Sequence, residues 1–159
     1  MSAQQWAEQA LQSFEAVVQA TAGFRARAGQ RLMAEQVAQT FAQAQLGKPE
    51  DEGDEPQRAI AVIQAGTGVG KSLAYSVPAI AMALSRGTRV LISTATVALQ
   101  EQLVHKDLPA LAARMEQPFA FALAKGRGRY VCKLKLERLA GGGSGSGEDD
   151  LPDDDLFPE

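Results

Sequence analysis

Little in this sequence can build a covalent or metal-held framework: it has one cysteine, Cys132, and one histidine, His105. A lone thiol excludes an internal disulfide scaffold. His105 falls in a helical pattern, where an exposed or capping place is expected and a catalytic role is not. Aromatic residues are sparse at 6%, and the single tryptophan, Trp6, is expected to pack. Long hydrophobic runs are missing too. The longest, Leu73 to Leu84, is too short and too polar to span a bilayer, so no membrane partner is expected. Met1 to Glu15 lacks the basic start, apolar run and small-residue cleavage site of a secretory signal, which makes the cytoplasm the expected location. No apolar strand ends in Asp-Glu. Asp51-Glu52 and Asp54-Glu55 sit in a loop without a strand before them, and Asp149-Asp150 lies in the C-terminal tail.

What is present suits one globular domain. The chain has 159 residues, 45% of them hydrophobic and 22% charged, a length that can bury a substantial core. Its net charge of -3 hides an asymmetry, since the stretch from Glu148 to Glu159 has seven acidic residues and no basic one. The rest of the chain sets all 16 lysines and arginines against 12 acidic residues. A basic body with an acidic tail is compatible with nucleic-acid contact.

Periodicity divides the chain into elements. Ser2 can cap a first helix with Ala7, Leu11, Phe14 and Val18 on one face and Gly23 as its stop, giving an N-terminal helical segment over 1–23. A second helix over about 30–45 places Met33, Val37 and Phe41 on one stripe. The acidic Gly/Pro stretch 47–56 reads as an exposed loop. Residues 59–64, 89–93 and 118–123 are apolar, strand-like runs, separated by helical patterns over 71–86 and 97–115. Strand, helix, strand, helix, strand implies an α/β fold with a parallel sheet flanked by helices, incomplete at this length. Pro78 should kink the helix that contains it. From Gly141 the chain turns Gly/Ser-rich and then acidic, so 141–159 is expected to be a disordered tail, with 24–140 as the main body.

The run Ala65, Gly66, Thr67, Gly68, Val69, Gly70, Lys71, Ser72 follows a strand-like stretch and opens a helix. That context identifies a phosphate-binding P-loop. Its glycines let successive N–H groups turn toward phosphate oxygens, and the helix adds its positive end. Lys71 supplies a mobile cation for the β- and γ-phosphates, and the Ser72 hydroxyl is a magnesium ligand. The expected ligands are therefore ATP and Mg2+. Ala65 stands where the strict pattern has glycine. A Gly-rich turn before an ordinary helix is the plainer alternative. Farther on, Lys125, Arg127, Arg129, Lys133, Lys135 and Arg138 cluster against the single acid Glu137. Such a cluster suits phosphate neutralisation or a solvated basic face. Tyr130 within it could stack on a base.

Four segments in order carry a family resemblance: Phe24 to Met33; Ala65 to Ile80; Ile92 to Gln100; and Lys125 to Cys132, the last containing the distinctive Gly-Arg-Gly-Arg-Tyr-Val-Cys. Over about 20–140 the chain resembles the start of a DinG-type helicase, a bacterial relative of the XPD helicases of superfamily 2. The resemblance implies a RecA-like P-loop NTPase domain and ATP-dependent, 5′ to 3′ DNA unwinding by the full-length enzyme. It also implies that Gln30 lies where the family's glutamine reads adenine, with Arg27 and Phe24 assisting. Thr94, Thr96 and Gln100, with Ser93, fall in the segment that touches the single-stranded DNA backbone, and Arg127 and Arg129 extend the contact. A hydroxyl helix cap without a ligand is the alternative for the threonines. Cys132 falls at the family's first iron–sulfur cysteine, but such a cluster needs four thiolates, so the site is incomplete here and a cluster belongs only to a full-length protein.

Hydrolysis in this class needs an acidic pair to hold magnesium and orient water. Without one, the chain is expected to be the nucleotide-binding half of a first motor domain, itself inactive. Two other readings stand beside this one. The first is a non-catalytic nucleotide-binding or partner-recruiting module, docking a protein through the acidic tail. The second is another P-loop ATPase such as a transporter subunit, whose signature motif is absent.

Overall fold

The computed structural model describes residues 1–45, 47 and 56–141. The acidic tail, most of the Gly/Ser-rich run and most of the acidic loop lie outside the described residues. Residues 1–122 form one compact unit and 123–159 a second.

Helix α1 spans Ala3–Gln19 and begins at a full capping box. The Ser2 hydroxyl accepts from the Gln5 N–H at 3.3 Å, and the Gln5 side chain accepts the Ser2 N–H at 2.7 Å, so two end donors are satisfied reciprocally. Helix α2 spans Ala28–Gln43 and α3 spans Lys71–Arg86. These three helices pack on one another to make the core. Phe14, Val17 and Val18 of α1 meet Met33, Ala34 and Val37 of α2 and Ala74, Val77 and Ile80 of α3. A second layer is almost all alanine, with Ala7, Ala10, Ala38, Ala42 and Ala81 beside Met82, which lets the helix backbones approach closely.

Two details of the expected pattern change. Phe41, placed on the buried stripe of α2, is 39% exposed, and Ala34, Ala38 and Ala42 are buried in its stead. The reason is that α2 is contacted by both α1 and α3, so the small residues line the tight contacts and the large ring has no room. Helix α3 runs without interruption through the buried Pro78 and ends at Gly87, whose φ of 63° makes the left-handed stop. The guanidinium of Arg86 then donates to the carbonyls of Ala42 and Ala44 at 2.9 and 2.8 Å and lies over the Trp6 ring at 5.2 Å. One side chain thereby closes the end of α2 and ties it to α1 and α3.

The expected parallel sheet is not formed among the described residues. Residues 59–64, 89–93 and 118–123 form no regular secondary structure, and the isolated bridge among the described residues pairs Gln45 with Gln57 in antiparallel sense. Only in the second run does burial alternate with a period of two: Val90, Ile92 and Thr94 are half-buried, while Arg89, Leu91 and Ser93 are exposed. Ile63 packs against the helical core, whereas Ile60 and Val62 are 85% and 95% exposed. A period-two pattern fixes an extended backbone and an inward face, but it does not supply the neighbouring strand that completes a ladder.

The pattern over 97–115 resolves into α4 (Val97–Gln102), a π-helical turn (Leu103–Asp107) and α5 (Leu108–Ala112), with Leu103 and Leu111 buried. In the second unit, Arg127–Arg129 make a 3-10 turn, and α6 spans Lys133–Gly141. No helix among the described residues is long and apolar enough to cross a membrane.

Candidate functional site

The loop before α3 has the geometry that its glycines permit. Gly68 and Gly70 adopt φ of 77° and 83°, a left-handed conformation that a side chain would strain. Gly70 is also the N-cap of α3 and makes no side-chain cap bond, and the first turn of α3 has no acidic residue. The first N–H groups of a 16-residue helix, with the positive end of its dipole, are thus left to an outside acceptor. Lys71 Nζ donates to the carbonyls of Ala65 and Gly66 at 3.1 and 2.8 Å. The cation therefore stands over the mouth of its own loop.

Ser72, half-buried, hydrogen-bonds with Tyr75. Burial pushes the Tyr75 phenol above its ordinary value and the Asp107 carboxylate adds in the same direction, while the Ser72 contact opposes both. Donors, cation and hydroxyl at one helix start form the set that a magnesium-bound polyphosphate needs, so the residues fit that ligand.

Arg27 and Gln30 come to this loop from the start of α2. Arg27 Nη1 donates to the Gly68 carbonyl at 2.7 Å, and Gln30 Nε2 donates to the Gly70 carbonyl at 3.0 Å. Gln30 is 1% exposed. Beside the loop lies a cavity of about 280 Å3, lined among others by Phe24, Gln30, Gly70, Ser72, Leu73 and Asp107. That volume sits near the lower end of small-molecule pockets, about 300 Å3, and suits a ring system better than a whole nucleotide. Leu73, Tyr75 and Asp107 had no signal in the sequence. Leu73 and Tyr75 belong to the ordinary periodicity of α3, and Asp107, the last residue of the π-helical turn, lines the cavity.

Of the residues expected at DNA, Thr94, Thr96 and Gln100 lie at or in α4 of the first unit, and Arg127 and Arg129 belong to the second. Thr96 caps α4, its hydroxyl accepting the Leu99 N–H at 3.3 Å, and Thr94 Oγ1 donates to the Thr96 carbonyl at 3.2 Å. Both hydroxyls thus have local partners, as the capping alternative requires, and the exposed start of α4 remains beside them. Gln100 is half-buried in α4. His105 lies on the π-helical turn with Nε2 2.9 Å from Glu101.

In the second unit, the Arg129 N–H donates to the Gly126 carbonyl at 2.9 Å, and the Tyr130 hydroxyl accepts the Lys125 N–H at 2.8 Å. Cys132, Lys133, Lys135 and Arg138 are exposed. Among the described residues no group of three or more His, Cys, Asp or Glu converges as a metal site. With one cysteine in the sequence, the residues present do not fit an iron–sulfur cluster.

Comparison with known proteins agrees on the region of the loop. A family model described as DEAD/DEAH box helicase matches residues 54–124. The ATP-dependent DNA helicase DinG of Photobacterium profundum is 48% identical over 100 residues, 63% of this chain and 14% of that protein. The ATP-dependent helicase DinG of Mycobacterium tuberculosis is 40% identical over 146 residues, 89% of this chain and 20% of that protein. For the ATP-dependent DNA helicase DinG of Escherichia coli the identity is 40% over 127 residues, 80% of this chain and 16% of that protein. The chain thus spans between 14% and 20% of the length of these relatives.

Proposed function

From the premise that this chain is homologous to the DinG-type helicases, we propose that it is the ATP-gripping part of a DNA motor. The observation that carries this reading is the P-loop at the start of α3, with Gly68 and Gly70 left-handed, Lys71 over the loop and Ser72 in the first turn. In this reading the N–H groups of 66–72 and Lys71 hold the β- and γ-phosphates of ATP. Ser72 holds Mg2+, whose chemistry when bound is to neutralise phosphate charge. The adenine occupies the cavity between Phe24 and Gln30, with Arg27 beside it.

Thr94, Thr96 and Gln100 meet the backbone of single-stranded DNA at the start of α4; Arg127 and Arg129, in the second unit, are DNA-phosphate ligands in their own right. A phosphate there would take over the threonine hydroxyls from their local partners. In the full-length protein, ATP would close a cleft between two RecA-like domains and drive 5′ to 3′ unwinding in the cytoplasm. A cluster site that includes Cys132 would need thiolates from elsewhere in such a protein.

This chain supplies no acidic pair at a strand end to position the attacking water, so its own turnover should be negligible. Mixing it with ATP, magnesium and single-stranded DNA tests both halves. DNA affinity should fall steeply as salt rises, less so in Arg129→Ala by about one phosphate contact, and phosphate release should stay at background. Brisk DNA-stimulated hydrolysis, or DNA affinity indifferent to salt, would contradict the proposal.

A further inference from the structure

We infer that the first turn of α2 braces the phosphate loop itself, so that Gln30 and Arg27 are positioning residues for polyphosphate whatever base is attached. The inference rests on the loop being a triphosphate site, as proposed above.

Both side chains bond to backbone carbonyls of the loop. A trans peptide is planar, with its carbonyl and the following N–H pointing to opposite sides. When Arg27 holds the Gly68 carbonyl at 2.7 Å, it directs the Val69 N–H away from α2. When Gln30 holds the Gly70 carbonyl at 3.0 Å, it does the same for the Lys71 N–H. Those N–H groups belong to the set that faces phosphate. The Gly70 carbonyl also accepts the Ala74 N–H at 3.3 Å, so both of its acceptor positions are filled and the peptide plane is held from two sides.

Burial makes the brace rigid. Gln30 is one of two buried polar residues among those described, and it is 1% exposed. A Cβ built on Gly70 would collide with the Gln30 amide. The loop therefore lies directly against Gln30; the φ of 83° favours glycine at 70, and a Cβ there would displace the Gln30 amide. Arg27 is exposed, and its charge alone would attract phosphate, so the rigid part of the brace is Gln30. Gln30 is neutral, so any effect it has on a ligand without a base must come through the loop.

The test is binding of inorganic tripolyphosphate with magnesium, a ligand with no base or sugar, next to ATP with magnesium, by calorimetry on the 159-residue chain. The variants are Gln30→Ala and Gln30→Met. Methionine keeps most of the buried volume and removes the amide donor, so a folded Gln30→Met protein remains informative if Gln30→Ala unfolds. The brace predicts that tripolyphosphate and ATP affinities fall together, by about tenfold, the scale of one well-made hydrogen bond. If ATP weakens while tripolyphosphate is unchanged, Gln30 is only a base reader and the inference is wrong. If neither ligand changes, the bond to Gly70 has no functional weight and the inference is also wrong. A wild-type chain that binds neither ligand, with Lys71→Ala no different, would overturn the triphosphate site and this inference with it.

Discussion

At the scale of single residues, Gln30 separates what a sequence conveys from what it does not. An amide at the start of a helix upstream of a P-loop marks a site residue through family resemblance. Its partner, a carbonyl 40 positions later, is set by how α2 lies on α3 and has no local signature. The same holds for Asp107, which lines the cavity from a π-helical turn that hydrophobic spacing does not encode. Lys71 and Ser72 can be proposed from sequence because the loop's chemistry is local: glycines, cation and hydroxyl lie within eight positions, 65 to 72.

The contact between Gly70 and Gln30 gives a residue-scale prediction. Gly70→Ala should lower stability by about 1–3 kcal/mol, from strain at positive φ together with the collision. The double variant with Gln30→Ala should be about 1 kcal/mol more stable than the sum of the two single losses, because the collision is gone while the strain remains. Urea denaturation of the single and double variants measures this, and strict additivity would show that the two residues are uncoupled.

At the scale of elements, several helix boundaries were readable from the chemistry of the ends, although α1 stops at Gln19, short of the left-handed Gly23 expected to end it. Ser2 with Gln5 begins α1, and Gly70 and Gly87 bound α3. The stripe on α2 misplaces Phe41 because a period of 3.6 identifies a face but not how closely two neighbours press on it. Alternating burial gives 89–94 an inward and an outward side, yet strand pairing was not there to find among the described residues. Pairing depends on a partner strand, and the apolar side chains of Ile60, Val62 and Leu91 stand exposed.

Arg86 is the element-scale counterpart of Gln30, joining α3 to the last carbonyls of α2 and to Trp6. Two charge-assisted hydrogen bonds and a cation–π contact give an expected loss of about 2–4 kcal/mol in Arg86→Ala. Arg86→Lys should recover less than half, because an ammonium lacks the fork that reaches both carbonyls. Thermal melts of the three proteins would show it, and a melting temperature unchanged in Arg86→Ala would mean the contacts contribute no net stability.

At the scale of the whole molecule, the chain is a small part of what its relatives contain. It covers between 14% and 20% of their lengths, and its sequence offers the phosphate-gripping elements without the acidic pair for hydrolysis. The exposed apolar side chains of its strand-like runs accord with that. A helical core of α1, α2 and α3 holds the loop in shape, while the sheet on which such a loop usually rests is left unpaired among the described residues. Under the proposed function, nucleotide binding by this chain is expected without turnover.

The most direct measurement is a titration of ATP with magnesium into the 159-residue chain and into Lys71→Ala, with circular dichroism showing both folded alike. Loss of the loop's cation should weaken binding by about tenfold or more, the scale of a charge-assisted hydrogen bond, and omitting magnesium should weaken the wild type as well. Equal affinities in the two proteins, or no binding by the wild type, would contradict the assignment of residues 65–72 as a working nucleotide site.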